Sequence, residues 1–329
     1  MIYLDAHATT PVDETVLSTM LPYFTQHYGN GNHKMGWKTQ DALENARVQL
    51  AHLLGARPSE ITFTSGATEA INLGLLGLAY GNTGKRNHIV TQCTEHKAVL
   101  ESLRHLETKV YEVTVLNVDA FGRIDLEELK ESISERTLLV VIMLVNNEIG
   151  TVQPVEEIGE LCSAKWLKFF CDITQGIGWY PLDMKILKID MASLSAHKFY
   201  GPRGAGALYL RKSNSYGKIQ PLLFGGGQEN GLRPGTPNIP PIVGLGKACE
   251  LLKNEGIKTF EKIRSLRNSL QEQLFKAIPQ ITLLGCPVNR HPGNLSLAIP
   301  GITGEQLKTC IPNVLFSTSS ACASASSKT

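Results

Sequence analysis

Net charge is nearly missing from this sequence: 32 Lys and Arg almost cancel 30 Asp and Glu, leaving a formal +2 over 329 residues. That balance supplies no field to gather nucleic-acid phosphates or anionic headgroups, so neither a nucleic acid nor a membrane is expected as partner. Long apolar runs are missing as well. The unbroken stretch 138–145 falls far short of a membrane span and reads as a buried strand. The seven cysteines, at 93, 162, 171, 249, 286, 310 and 322, include no C-x-x-C pair and match no zinc spacing, so no metal is expected. Their odd number suits reduced thiols, with five or six acting as small core residues. Patterned sequence begins at once with Ile2-Tyr3-Leu4-Asp5, which leaves no room for a leader and makes the cytoplasm the expected compartment.

What is present is ordinary globular material, 42% hydrophobic and 19% charged, in a length that suits one large α/β domain and a smaller one. Pro11 at a first-turn position predicts a helix running to about residue 27. A second amphipathic helix is predicted over 39–54, stopped by Gly55. Strand-like runs then fall at 61–64, 88–91, 110–116, 138–145, 168–171 and 191–194. Helical segments at 68–80, 97–106, 126–133 and 155–163 separate most of them. Such alternation predicts a mostly parallel sheet with helices on both faces. A further strand is read at 205–210, then a loop rich in Gly and Pro over 224–241. A helical stretch follows over 243–277, with a break expected near 254–256. The remainder, with strands at 281–284 and 294–299 and a helix at 305–310, reads as a separate α+β lobe. The Ser/Ala-rich terminus from Ser317 predicts a mobile segment.

The chemistry gathers at predicted strand ends, where open α/β sheets bind their ligands. Lys198, in Ser195-Ala196-His197-Lys198 with Gly201-Pro202 beyond, follows a buried strand; a rigidly held amine there suits a Schiff base with pyridoxal phosphate. A lysine entering a surface turn is the plainer alternative. Thr64-Ser65-Gly66-Ala67-Thr68-Glu69 leaves a strand and opens a helix, a place for an anion, although such segments are also common helix caps. With Ser195 and His197 it forms a candidate phosphate cup. Asp172 ends another strand and can pair with a pyridinium nitrogen, with Gln175 three residues on for the ring hydroxyl. His96 lies just beyond a further strand end, placed to stack on a flat ring and move protons. Asn146-Asn147-Glu148 offers amides at the same rim. A capping aspartate and a solvated histidine are the bland readings of Asp172 and His96.

Taken together and in order, these segments resemble cysteine desulfurases of the NifS/IscS type, pyridoxal phosphate enzymes of the class-V aminotransferase family with the aspartate-aminotransferase-like fold. The likeness also includes Ala8-Thr9-Thr10-Pro11, Thr94-Glu95-His96-Lys97-Ala98-Val99, Gly225-Gly226-Gly227-Gln228-Glu229 with Arg233, Gly235 and Thr236, and Ser320-Ala321-Cys322-Ala323-Ser324. It implies Lys198 as the Schiff-base lysine and His96 as the ring-stacking acid/base. Asp172 is then the partner of the ring nitrogen, Gln175 that of the ring hydroxyl, and Asn147 lies near substrate and ring. Gly66, Ala67, Thr68, Ser195 and His197 would hold the phosphate, and Thr236 would reach the phosphate of a neighbouring subunit in a homodimer.

By the same resemblance Cys322 accepts the sulfur of L-cysteine as a persulfide, for delivery to an acceptor or iron–sulfur scaffold protein. Its small, polar surroundings predict exposure. The implied organisation is a cofactor-binding domain over 15–254 and a small domain from 255–329 joined by the segment 1–14. Two departures stand out. Residues 29–36 lack the family's Gly-Asn-Pro, and no arginine follows Cys322 to clamp the substrate carboxylate. The small domain is therefore expected to be incomplete at its C-terminus. A cofactor-binding homologue without turnover, acting as scaffold or dimer partner, and a selenocysteine lyase stay open as alternatives.

Overall fold

The computed structural model describes residues 1–29, 33–84, 86–212 and 219–318. The chain opens with a short strand β1 (Ile2–Tyr3) and helices α1 (Glu14–Met20), α2 (Pro22–Thr25) and α3 (Lys34–Leu53). Asp13, not Pro11, sets the first start: its carboxylate accepts from the Thr15 and Val16 N–H groups, satisfying donors that a helix start leaves free. Pro22 then interrupts the single helix expected to residue 27, because it has no N–H to give the preceding turn.

Strand and helix alternate through β2 (Ile61–Thr64), α4 (Ala67–Gly81), β3 (His88–Gln92), α5 (Lys97–Glu107), β4 (Glu112–Leu116), α6 (Leu126–Ser132), β5 (Thr137–Val141), α7 (Val155–Ala164), β6 (Lys168–Asp172), β7 (Met191–Ser195) and β8 (Gly206–Leu210). They form one seven-stranded sheet in the order β2-β8-β7-β6-β5-β3-β4. β8 runs antiparallel to both its neighbours, and the remaining pairs are parallel. Inner strands such as β5 are buried along their whole length, as a sheet covered on both faces requires. Alternate residues feed two cores. Val140, Phe169, Cys171 and Leu194 pack with α3, α6 and α7 on one face. Leu139, Val141, Phe170 and Met191 pack with α4 and α5 on the other. A β2 buried by β8 leaves β4 as the partly exposed edge.

Helix α8 (Ile239–Ala277) is continuous, which corrects the break expected near 254–256. Gly256 is a packing glycine: a Cβ there would lie 2.7 Å from the Gly178 carbonyl oxygen. The backbone approaches because the side chain is absent, and the helix goes on through it. Beyond α8, β9 (Thr282–Leu283) and β10 (Leu297–Ala298) pair antiparallel, α9 (Gly304–Cys310) follows, and β11 (Val314–Leu315) lies parallel to β1. The N-terminus thus joins the chain's last described strand. Among the described cysteines, four are buried, while Cys93 and Cys310 are exposed; the expectation of five or six core thiols is too high, because a turn after β3 and a helix end carry two of them. No described helix is long and apolar enough to cross a membrane, and no described group of His, Cys, Asp and Glu is placed to hold a metal.

Candidate active site

The parallel strands β7, β6, β5 and β3 are consecutive neighbours, so their carboxyl ends lie side by side along one edge. Lys198 follows β7 on a short 3-10 turn, Asp172 is the last residue of β6, Asn147 lies beyond β5 and His96 beyond β3. β2 reaches the same edge because β8 reverses direction twice between β2 and β7. Gly66 stands there: it precedes α4, and no side chain caps that helix. Its free amides and the helix dipole favour an anion. Ser195 Oγ lies 3.5 Å from where a Gly66 Cβ would be, so the two arms of the predicted cup do meet. Ala67 and Thr68 open the helix, Thr68 exposed and Ala67 half-buried.

The segment after β1 crosses this edge as a strap. Lys198 Nζ donates to the His7 carbonyl at 2.6 Å and the Ala8 carbonyl at 2.9 Å. Gln175 Nε2 donates to the same His7 carbonyl at 3.0 Å. His197 Nδ1 lies 3.0 Å from Thr9 Oγ1, and the Thr10 N–H donates to the His197 carbonyl at 2.9 Å. Tyr200, at the left-handed φ of 63°, donates its N–H to Thr10 Oγ1 at 2.7 Å. For a bulky residue that conformation is strained, and the strap helps hold it. Burial, with Lys198 and Arg203 adding repulsion, pulls the His197 ring down to about 4, so it is neutral and leaves Nε2 for the cup.

Asp172 is buried, and its Oδ1 accepts from both the N–H and the hydroxyl of Thr174. Its Oδ2 makes no hydrogen bond among the described residues. His96 caps α5, and its Nδ1 accepts from the Ala98 N–H at 3.1 Å, so the neutral ring carries its proton on Nε2. Asn146 stitches the two rims together. Its Nδ2 donates to the Thr94 carbonyl at 2.9 Å, and its Oδ1 accepts from the Glu148 and Ile149 N–H groups, which sets Asn147 beside the His96 turn.

Thr236 stands apart. It is exposed on the loop after β8 and makes no hydrogen bond among the described residues. That loop is clamped twice: Glu229 takes a bidentate pair from Arg47 at 2.8 and 2.9 Å plus the Phe63 N–H at 2.9 Å, and Arg233 meets Glu69 at 2.7 Å. Glu69 in turn accepts from the Ser65 N–H at 2.7 Å, beside the cup. A cavity of about 90 Å³ between Ser65, Gly204, Arg233 and Asn238 lies behind this loop, away from Lys198. Cys322 lies outside the described residues.

Several residues at the site escape a reading of the sequence. His7 and the buried His291 form a part-buried pair, Nε2 to Nδ1 at 3.2 Å, with ring centroids 4.4 Å apart. The Gly293 N–H also donates to His291 Nδ1, so His7 Nε2 is the donor in the pair. Burial first, then the Lys198 charge, draws His7 down to about 4. A sequence separation of 284 between these partners leaves no local signal. The pairing of Arg47 with Glu229 was equally invisible, as charges on an amphipathic helix and in a loop ordinarily face water.

The donor set fits pyridoxal phosphate: an amine at Lys198, an uncapped helix start for its anionic tail, the unpartnered Asp172 Oδ2 for a protonated ring nitrogen, and the imidazole of His96. The comparisons agree with the geometry. Residues 2–328 match the family model described as aminotransferase class-V. A cysteine desulfurase IscS of Rickettsia rickettsii (strain Iowa) is 46% identical over 328 residues, covering 99% of this chain and 80% of the relative. Among solved structures, a NifS-like protein superposes with a TM-score of 0.90 at 40% identity, covering 95% of this chain and 85% of the other. An SspA in complex with cysteine superposes at 0.83 with 34% identity, covering 99% and 92%. The chain belongs to the class-V aminotransferase family, among its cysteine desulfurases of the IscS and NifS-like type.

Proposed function

We propose that this chain is a pyridoxal phosphate-dependent cysteine desulfurase that converts L-cysteine to L-alanine and takes the sulfur onto Cys322. The observation that carries the reading is the convergence of Lys198, Asp172, Asn147 and His96 on the carboxyl ends of four adjacent parallel strands. When bound, the cofactor supplies an electron sink that makes the substrate's Cα–H and C–S bonds breakable. Lys198 would hold it covalently, and its amine would serve as the base that moves the substrate's Cα proton. The Asp172 carboxylate holds a proton on the ring nitrogen, and Gln175 and Asn147 orient ring and substrate. His96, beside the ring, would be the acid/base that supplies the proton to the substrate carbon as the C–S bond breaks. Gly66, Ala67, Thr68, Ser195 and His197 hold the phosphate. The Cys322 thiolate attacks the substrate sulfur, the C–S bond breaks, and a proton completes alanine while the persulfide stays on the enzyme.

The working form is a homodimer in the cytoplasm. Thr236, exposed on its clamped loop, is free to meet a neighbouring subunit's phosphate, and Leu21, Phe24 and Trp37 expose an apolar face, each more than half accessible. Residues 15–254 act as the cofactor-binding domain, and 255–329 with 1–14 as the small domain, a division supported by the pairing of β1 with β11. The persulfide passes to an acceptor protein, in iron–sulfur cluster assembly or thiolation.

The test is alanine released from L-cysteine by the purified chain with pyridoxal phosphate and a thiol. Alanine in excess over enzyme is expected. Cys322→Ala should retain the visible absorbance of bound cofactor but lose persulfide and turnover, whereas Lys198→Ala should lose both the covalent linkage and activity. Turnover that survives Cys322→Ala would overturn the sulfur-acceptor assignment.

A further inference from the structure

Glu95, next to His96, carries a carboxyl that the proposed chemistry does not use. It is buried just beyond the end of β3. Its Oε1 accepts two hydrogen bonds, from the Met143 N–H at 2.6 Å and from Gln92 Nε2 at 2.8 Å. Its Oε2 has no partner among the described residues, and neither has the other end of the same amide, Gln92 Oε1. With Glu95 ionised, both orphans are acceptors, so two buried lone-pair atoms on two bonded side chains would go without a donor. Each such atom weakens the fold, and a buried unpaired charge weakens it more. A single proton repairs both, because a carboxylic acid and a primary amide have matching edges. The amide N–H already donates to the acid, and an acid O–H has the amide oxygen to donate to.

We propose that Glu95 keeps a proton on Oε2 in the folded protein and donates it to Gln92 Oε1, closing an acid–amide pair that acts as a positioning element beneath the site. The groups facing it are Gln92 from β3, the Met143 N–H beyond β5, and Cys171 and Asp172 from β6. Asp172 is the charged member of that set. An anionic Glu95 would repel it, whereas a neutral Glu95 leaves Asp172 as the anion of the floor. That consequence rests on the role proposed for Asp172; the proton itself does not. Burial, opposed by the Met143 and Gln92 hydrogen bonds and reinforced by Asp172, pushes the Glu95 carboxyl up to about 8, in keeping with the geometry.

The experiment compares the purified full chain with Glu95→Gln, which puts an N–H where the proposed O–H stands and keeps every other bond. The infrared difference between the two at neutral pH should show the carbonyl stretch of a protonated carboxylic acid in the wild type, with or without pyridoxal phosphate. The folded-state carboxyl is raised, so its contribution to stability is complete below the ordinary glutamate value of 4.5 and is lost as pH rises towards about 8. Between those limits the wild-type unfolding constant should grow relative to the variant's by about tenfold per pH unit. A pH-independent difference, or a wild type that gains on the variant as pH rises, would overturn the proposal. Should the variant not fold, the wild-type spectrum titrated from about pH 6 to about pH 10 decides alone: the acid band must disappear within that range, and a band absent throughout refutes the proton. None of these readouts uses L-cysteine, so failure of the desulfurase reading would leave them unchanged.

Discussion

Replacing Gly206 by alanine should damage the cofactor site from behind. Gly206 opens β8 and pairs with Thr64 of β2 on one side and Ser195 of β7 on the other, so it joins the two arms of the proposed phosphate cup. A Cβ at this position would lie 2.5 Å from Gly66 Cα and 2.5 Å from the Leu194 carbonyl oxygen. Ordinary contact begins at 3.4 Å, so each approach is short by about 0.9 Å. Both obstacles are main chain, one at the start of α4 and one inside the sheet, so no rotamer change relieves them. Overpacking of this kind costs about 1–3 kcal/mol, and two rigid neighbours argue for the upper half. At about 1.4 kcal/mol per tenfold, the unfolding constant should rise by roughly 30–140-fold. The relief lies in moving Gly66, and a shift near 1 Å in a positioned site costs on the order of 100-fold in function. Urea unfolding with an unchanged slope and a lower midpoint, together with loss of cofactor absorbance on gel filtration, is the expected pair of results. Gly204→Ala is the control: its φ of 79° strains alanine, but nothing lies within 4 Å of the new methyl. That variant should lose about 1–2 kcal/mol yet keep its cofactor. Equal retention by both variants, or equal loss, would refute the reasoning.

Arg47→Ala leaves the buried Glu229 carboxylate, 6% exposed, without its bidentate partner, and should cost about 3–5 kcal/mol in chemical unfolding. Gly256→Ala ought to gain about 1 kcal/mol from helix propensity, but the 2.7 Å approach to the Gly178 oxygen reverses the sign; a raised melting temperature would show that α8 and the Gly178 turn are not in contact. His7 titrates near 4 rather than 6.5 because it is buried beside Lys198. Its contribution is therefore whole above 6.5 and is lost as pH falls towards 4, by up to about tenfold in the unfolding constant per pH unit. His7→Gln, which can still donate to His291, should show a shallower decline over that window when midpoints are compared; parallel curves would place His7 in water. Glu69 is lowered despite its burial, because Arg233 and the Ser65 N–H hold its charge, so Glu69→Gln should lose stability at neutral pH and converge with the wild type in acid.

The alternation of apolar runs and amphipathic segments was enough to place the sheet, because each parallel strand is buried on both faces and each helix on one. Boundaries drifted where a single residue overrides the pattern. Asp13 starts α1 three residues beyond Pro11 by binding two amides, and 142–145 leaves β5 although it is as apolar as the strand. There Leu144 still gives its N–H to Asp172 and takes one from Gln153, so the run continues as buried backbone between two partners. Gly256 was misread for a related reason. A glycine inside a helix has the same local signature whether it ends the helix or admits another backbone, and only the identity of the neighbour separates the two.

The site divides along the same line. The positions of Lys198, Asp172, His96 and Asn147 were legible because each stands at or beyond a strand's end, and strand order then sets them side by side. What positions them was not. The strap works through carbonyls of His7 and Ala8, which every residue possesses, so nothing in the side chains announces it. The acid at Glu95 is the sharper case. In sequence it is one more carboxylate before a helix, where exposure and ionisation are the rule. Burial removes the water that would share its charge, the Met143 and Gln92 donors occupy one oxygen, and the other is left without a donor, as is the amide oxygen of Gln92, which can only accept. A residue type fixes what protons a group can carry; its two neighbours decide whether it carries one, and those neighbours come from two different strand ends.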